Sequence, residues 1–378
     1  MKTVWIILKA ILVIIQAIVS VLLVISLIRM GIIGTWIIAI VAVVLLILLV
    51  LNVIVLVVMK KTKVWMQIVC TIIAMICIGG GIFTYRYTNA FNSFLDRISS
   101  TIVSEAPFVD DEKDLIERPF ILYISGSDSR VSVDDPNARS DVNIVVVVNP
   151  GQSKILLASI PRDTYVQLHG TEGLKDKLTH AGLYGIEMSK TTIEDFLGIT
   201  IDRTLKVSFD TVVEVVDELD GIEIYSDKAM SLKSEQSGKM CYYVEGKQVV
   251  DGECALRFSR ERKKYSTGDK HRGANQQEVL TAIIQKLSGS REYLLKAPEI
   301  LEVAADSFET SLSRDEITSF IRMQLNEPRN WQIESVAVDG EGVLEPTYSI
   351  SDQNLYVMIP DEESLKGFVD KINEYLNE

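Results

Sequence analysis

"FILYIS" (residues 120–125), "NIVVVV" (143–148) and "ILLASI" (155–160) are near-continuous apolar runs rich in β-branched residues, and their reading decides the fold. A strand with one wet face alternates polar and apolar residues; runs this uniform are strands buried on both faces, as in an α/β sandwich. "NPGQSK" (149–154) joins the second run to the third, and its Asn-Pro-Gly suits a tight reversal, so these two strands should pair antiparallel. Further on, "SFDTVVEVVDELDG" (208–221) sets Val212, Val213, Val216 and Leu219 at helical spacing. Ser208 or Asp210 can cap its start and Gly221 can end it. "NQQEVLTAIIQKLSG" (275–289) repeats the pattern with Val279, Ile283, Ile284 and Leu287.

The hairpin has a chemical consequence. Asp128 lies just beyond the first run, Asp141 just before the second and Arg162 just beyond the third. If the first strand also pairs antiparallel with the second, Asp128, Arg130, Arg139, Asp141 and Arg162 share one edge of the sheet. Paired carboxylates with open coordination suit Mg²⁺, which keeps waters and takes phosphate oxygens. Guanidinium forks match phosphate bidentately. Taken singly, "GSDSR" reads as an Asx-turn, "ARSD" as a solvated loop and "PRD" as a surface salt bridge. What joins them is "FSRERKKYSTGDKHRGANQQ" (258–277), a second knot of arginine with Arg260, Arg262 and Arg272. Together they describe a site for a small anion. His169, His180 and His271 have no obvious Ser or Cys partner; His180 in "DKLTHAG" suits a structural hydrogen bond at a helix start better than the alternative, a contact with substrate.

The formal net charge is −13, yet residues 1–95 contain no Asp or Glu. Seven of the 38 basic residues precede residue 90, which leaves 31 against 51 acidic ones beyond it, a net of −20. A domain that acidic repels nucleic acid as a whole and shows no basic face at domain scale, which makes a DNA-binding regulator the weakest reading. Apolar runs at about 4–28, 32–59 and 64–84 are each long enough to cross a bilayer. Lys2 and the Lys60, Lys61, Lys63 cluster fall on one side, with Arg29 on the other. The positive-inside rule puts the N-terminus in the cytoplasm and everything after the third span outside. The expected organisation is therefore three transmembrane helices in 1–85, a membrane-proximal stem in 86–118 and an exported domain in 119–378. Cys241 and Cys254 are the only exported cysteines, and a disulfide and two free thiols both fit. Between them "YYVEGKQVVDGE" (242–253) reads as a strand, a turn and a helix start.

The ordered motifs "SGSDSR", "ARSDVNIVVVV", "SIPRDTYV", "KDKLTHAGLYG", "VDELDGIEIY", "DGECALRFSRER" and "DKHRGANQQ" resemble the LytR-CpsA-Psr family of cell-wall glycopolymer transferases, most of all its streptococcal capsule-type CpsA branch. The resemblance runs from about Phe120 to the C-terminus. It implies an α-β-α sandwich with a mixed central sheet and an apolar groove for a polyprenyl chain. It also implies transfer of a phosphoglycan (capsule, teichoic acid or a related polymer) from a polyprenyl-pyrophosphate carrier to a peptidoglycan hydroxyl, releasing polyprenyl phosphate. By position, Asp128 and Asp141 match the family's magnesium-associated carboxylates, with Mn²⁺ as an alternative ion. Arg139, Arg162, Arg260, Arg262 and Arg272 match its pyrophosphate-binding arginines, and Gln276 the glutamine on the same head group. Arg130 matches an arginine of some branches only. The stem is too short for the accessory domain that capsule-type relatives can carry, so any function of that domain is absent or falls to a partner, such as other wall-polymer assembly proteins. Two other readings use the same residues: a membrane-anchored binder or regulator of lipid-linked glycan, and a hydrolase that releases polyprenyl phosphate with water as acceptor.

Overall fold

Alternation within the apolar runs sorts them onto two layers. Ile121, Tyr123, Val145, Val147, Leu156 and Ala158 form one buried cluster, while Ile124, Ile144, Val146, Ile155 and Leu157 form another. Both faces of a sheet are thus covered, as uniform apolar strands require. The chain was studied as a computed structural model, which describes residues 2–31, 33–58, 63–100, 114–127, 139–265, 268–303 and 307–377. It divides into two compact units, Met1–Asp96 and Arg97–Glu378.

The second unit is built on six strands: β1 (Phe120–Ser127), β2 (Ser140–Asn149), β3 (Lys154–Ser159), β4 (Arg203–Ser208), β5 (Phe308–Thr310) and β6 (Gln332–Ala337). Their order across the sheet is β5-β4-β1-β2-β3-β6. β2 runs antiparallel to β3, as the Asn-Pro-Gly reversal predicts, and also to β1, which meets the condition for a shared edge. β4 is parallel to β1, and β6 is parallel to β3. The C-terminal ends of β1, β3, β4 and β6 therefore share one edge with the start of β2. The sheet is mixed, and ligands of such α/β folds gather at that carboxyl edge.

On the Tyr123 face lie α4 (Ile186–Leu197) and α8 (Glu362–Asn377), which contribute Ile193, Leu197, Phe368 and Ile372. α7 (Asp269–Gly289) covers the other face with Leu280 and Ile284. The sequence places this helix from 275, but it begins six residues earlier, so Lys270, His271 and Arg272 lie in its first turn. α5 (Phe209–Glu218) and α6 (Gly252–Ser259) flank a further cluster around Val216, Phe258 and Val279. α5 starts at a capping box in which the Ser208 side chain accepts from the Thr211 amide, and the chain leaves through Gly221 at φ 81°. Cys241 and Cys254 are joined by a disulfide, with Cα atoms 5.5 Å apart. "GKQVV" is a strand (Gly246–Val250) and not part of a turn, because Ile222–Ser226 supplies it an antiparallel partner.

The first unit holds α1 (Lys2–Met30) and α2 (Thr35–Val53), and α3 (Val64–Ser100) starts in it. Three segments, Ile7–Met30, Thr35–Leu56 and Val64–Asn89, are long and apolar enough to cross a membrane. Polar contacts join the helices: Asn52 Nδ2 donates to Gln16 Oε1 (2.9 Å) and Lys9 Nζ to Gln67 Oε1 (2.6 Å). The third helix does not stop near residue 84. Nothing from Arg86 to Ser100 is Gly or Pro, so the apolar run ends but the helix goes on.

Candidate functional site

A β-bulge opens the site. Gly126 pairs with Val142 and Ser127 with Ser140, which leaves Asp141 as the extra residue of β2. Such a bulge re-aims a side chain at the rim of a sheet. Asp141 Oδ1 there accepts from Arg162 Nη1 at 2.8 Å. Arg162 reaches this point because the ladder runs one residue past β3, with the Ile160 amide donating to Asn143 O (2.9 Å), before Pro161 turns the chain. Beneath the bulge is a buried polar network: Tyr123 Oη donates to Asn143 Oδ1 (2.6 Å) and Ser140 Oγ to the same oxygen (2.7 Å). With its groups satisfied, such a network fixes the strand ends more sharply than apolar packing alone.

The second arginine group comes from α6 and α7. Arg257 Nη2 donates to Glu261 Oε2 (2.6 Å), and Glu261, only 2% exposed, also accepts from the Lys264 amide (2.9 Å). This buried carboxylate ties down the turn that displays Arg260 and Arg262. Arg260 lies 4.9 Å from the Phe209 ring and 3.3 Å from Glu235. On α7, Gln277 Nε2 donates to both Leu157 O and Val336 O at 2.8 Å, and Asn275 Nδ2 donates to Phe258 O at 3.0 Å. These amides clamp the helix to β3, β6 and the end of α6. Arg272 and Gln276, one turn apart on the same helix face, are thereby turned into the cavity.

That cavity has a volume of about 240 Å³ and is lined by Asp141, Arg162, Phe209, Glu235, Arg257, Arg260, Glu261, Arg262, Lys263, Arg272 and Gln276. Burial pulls the Arg162 guanidinium down, but the hydrogen bond and charge of Asp141, backed by Asp163 and Asp269, hold it above its ordinary value. Arg272 is the opposite case. Burial pushes it below its ordinary value, and Arg162 and Arg262 push the same way against Asp269 and Asp141. Nε of Arg162 and Nε of Arg272 are both buried without a hydrogen-bond partner. Arg162 Nε faces Asp163 Oδ2 at 3.6 Å, and the guanidinium groups of Arg162, Arg260, Arg262 and Arg272 together give the cavity a cationic lining that suits an oxyanion.

Of the residues expected at the site, Asp141, Arg162, Arg260, Arg262, Arg272 and Gln276 line one cavity. Arg139 is exposed beside the start of β2 and is not among that lining. Asp128 and Arg130 lie outside the described residues. Sequence reasoning missed Phe209, Arg257, Glu235, Lys263 and the anchoring role of Glu261. The four-residue spacing of Arg257 and Glu261 was the available signal. Each histidine faces an aspartate: His180 Nδ1 is 2.7 Å from Asp176, His169 is 2.7 Å from Asp195 and His271 is 3.9 Å from Asp227. His180 is buried, and its partner also accepts from the Ser349 amide, so its role is structural. Among the described residues no group of three or more His, Cys, Asp or Glu side chains is placed to hold a metal ion, and Asp141 supplies a single carboxylate beside the arginines.

Three helices long and apolar enough to span a membrane precede an α/β sandwich that carries an arginine-lined cavity. The chain belongs to the LytR_cpsA_psr family, whose model matches residues 91–374. It is 31% identical over 312 residues to the polyisoprenyl-teichoic acid–peptidoglycan teichoic acid transferase TagU of Halalkalibacterium halodurans, covering 81% of this chain and 95% of the relative. Against TagV of Bacillus subtilis, of the same description, it is 29% identical, covering 79% and 74%. Among solved structures, B. subtilis TagV superposes with a TM-score of 0.58, at 29% identity over 69% of this chain and 98% of that one. TagT bound to LI-WTA superposes with a TM-score of 0.56, at 25% identity over 74% and 96%.

Proposed function

We propose that this protein transfers a phosphoglycan of the cell wall from a polyprenyl-pyrophosphate carrier to a hydroxyl of peptidoglycan. The observation that carries this reading is the cavity that gathers Arg162, Arg260, Arg262, Arg272 and Gln276 beside Asp141. A diphosphate supplies enough oxygens for all of them. Relatives named as teichoic acid transferases, and TagT solved with LI-WTA, point to the same chemistry.

In the transfer, the acceptor oxygen bonds to the phosphorus that carries the glycan. The bond from that phosphorus to the bridging oxygen breaks, and polyprenyl phosphate leaves with the bridging oxygen. The hydroxyl proton passes to a carboxylate, and the proposal gives this role to Asp128 or Asp141. The guanidinium groups position the diphosphate and stabilise charge that develops on it, which is the main task in phosphoryl transfer. Asp141, with Asp128, would hold Mg²⁺, which supplies charge screening at the leaving phosphate. Arg139 and Arg130 belong to the same proposal as outer contacts to the head group.

The prenyl chain would lie between the sheet and α7, where Leu122, Val142, Leu205, Val207, Leu280 and Ile284 are only partly buried. The proposed orientation has the N-terminus in the cytoplasm and the catalytic unit outside. A disulfide in that unit fits an oxidising compartment. The test is incubation of the full-length protein with lipid-pyrophosphate glycan and wall fragments, followed by mass spectrometry of both products. A polymer–peptidoglycan phosphodiester with polyprenyl phosphate is the expected result. Free glycan phosphate in its place would favour hydrolysis, and an unchanged lipid would favour binding alone.

A further inference from the structure

We infer that a second cleft beside the arginine cavity is the acceptor subsite, and that it takes a neutral sugar ring of a wall glycan on the face of Tyr356. This rests on the transfer reading for its purpose, though not for its geometry. A narrow neck of about 20 Å³ shares Asp141, Arg162, Arg272 and Gln276 with the arginine cavity. The same neck shares Pro161, Asp269, Lys270 and Val338 with an outer cleft of about 340 Å³. That volume falls in the range of small-ligand pockets, roughly 300–1,000 Å³. A hydroxyl presented from the cleft enters the neck and meets Asp141 at the mouth of the anion cavity.

The wall of the cleft is built for a polyol. Tyr356 is 54% exposed on the strand Asn354–Pro360, which pairs with Gly340–Pro346. Its ring lies against Gly342: a Cβ there would fall 2.5 Å from Cε2 and 2.6 Å from Oη. Only glycine lets the ring lie on the backbone, and the packed ring then offers its remaining surface to the cleft at little entropic cost. The strand is held in register with the arginine loop, since the Met358 amide donates to Asp163 O at 2.8 Å. Across the cleft Lys270 Nζ donates to Asp339 Oδ2 at 2.6 Å, with both side chains more than half exposed. An aromatic face flanked by a carboxylate and an ammonium matches the apolar faces and hydroxyl edges of a pyranose. The lining has Asp163, Asp269 and Asp339 against Lys270 alone, so it does not favour a second anion.

The experiment uses the full-length protein in detergent micelles, with soluble, neutral N-acetylglucosamine oligomers as the probe. Binding is read by saturation-transfer NMR, and lipid-pyrophosphate affinity is measured in parallel. Tyr356→Ala should weaken oligomer binding about tenfold, the scale of a lost stacking contact. Tyr356→Phe should retain it, and lipid affinity should not change in either variant. Wild-type oligomer affinity in Tyr356→Ala, or no oligomer binding by the wild type at millimolar concentration, would overturn the subsite. Binding that depends on Tyr356 without any transfer of polymer would leave the subsite standing and overturn the transfer reading instead.

Discussion

Replacing Arg272 by methionine separates an arginine held for a ligand from one held for the fold. Methionine keeps most of the apolar stem and removes the charge and every donor. If the guanidinium binds an oxyanion in the cavity, the loss is one charge-assisted hydrogen bond, worth about 1.5–3 kcal/mol. The dissociation constant for polyprenyl pyrophosphate then rises about 10- to 150-fold. Ligand-free stability should move the other way. Burial, Arg162 and Arg262 all oppose the charge of Arg272, and the compensating Asp269 is 31% exposed and can hydrate when its partner goes. Calorimetric titration with the lipid and thermal unfolding of the ligand-free full-length protein give the two numbers. The expected pattern is weaker binding with an unchanged or higher Tm. A lower Tm with lipid affinity within about twofold of wild type would make Arg272 a structural cation and refute the reasoning.

Asp141→Asn or excess chelator should abolish transfer yet leave most lipid binding intact, because a metal held there acts on charge that develops in the transition state; full transfer in both would remove Mg²⁺ from the mechanism. Burial pushes Asp176 up, but the hydrogen bonds from His180 and Ser349 outweigh it and leave the folded carboxyl below its ordinary value. Its stabilisation is thus complete above the unfolded pKa, about 3.9, and is lost as pH falls through the lower folded value, so Asp176→Asn should flatten the acid limb of the unfolding curve below about pH 4. Intact-mass analysis after alkylation should find two modified thiols, Cys70 and Cys77, without reductant and all four cysteines with it. Cys241→Ala with Cys254→Ala should lower stability by about 3 kcal/mol, the scale for a loop this short.

The parts of this fold that sequence disclosed are those carried by one-dimensional pattern. Three uniform apolar runs gave the central strands, and one Asn-Pro-Gly gave the antiparallel pairing that gathers Asp141 and Arg162. What stayed hidden depends on register or on neighbours far along the chain. The bulge at Asp141 exists only as a mismatch between two strands, so neither strand shows it alone. The early start of α7 was masked because "DKHRG" lacks apolar periodicity, and its helix is held from outside by Gln277 and Asn275.

That last pair shows how the site is made. Asn275, Gln276 and Gln277 are chemically similar, and the resemblance marked only Gln276 as functional. Each residue turns a helix by about 100°, so neighbours face different directions. Gln276 enters the cavity while Gln277 spends both amide hydrogens on two strands and Asn275 reaches the end of α6. Glu261 does the same between Arg260 and Arg262: a single acid in a basic string reads as dilution of the charge, yet it is the buried anchor of the turn. An arginine cluster repels itself, so its geometry has to be imposed by groups that never touch the ligand. In this chain those groups alternate with the binding residues in sequence, which is why the motif is dense and why composition alone undercounts its parts.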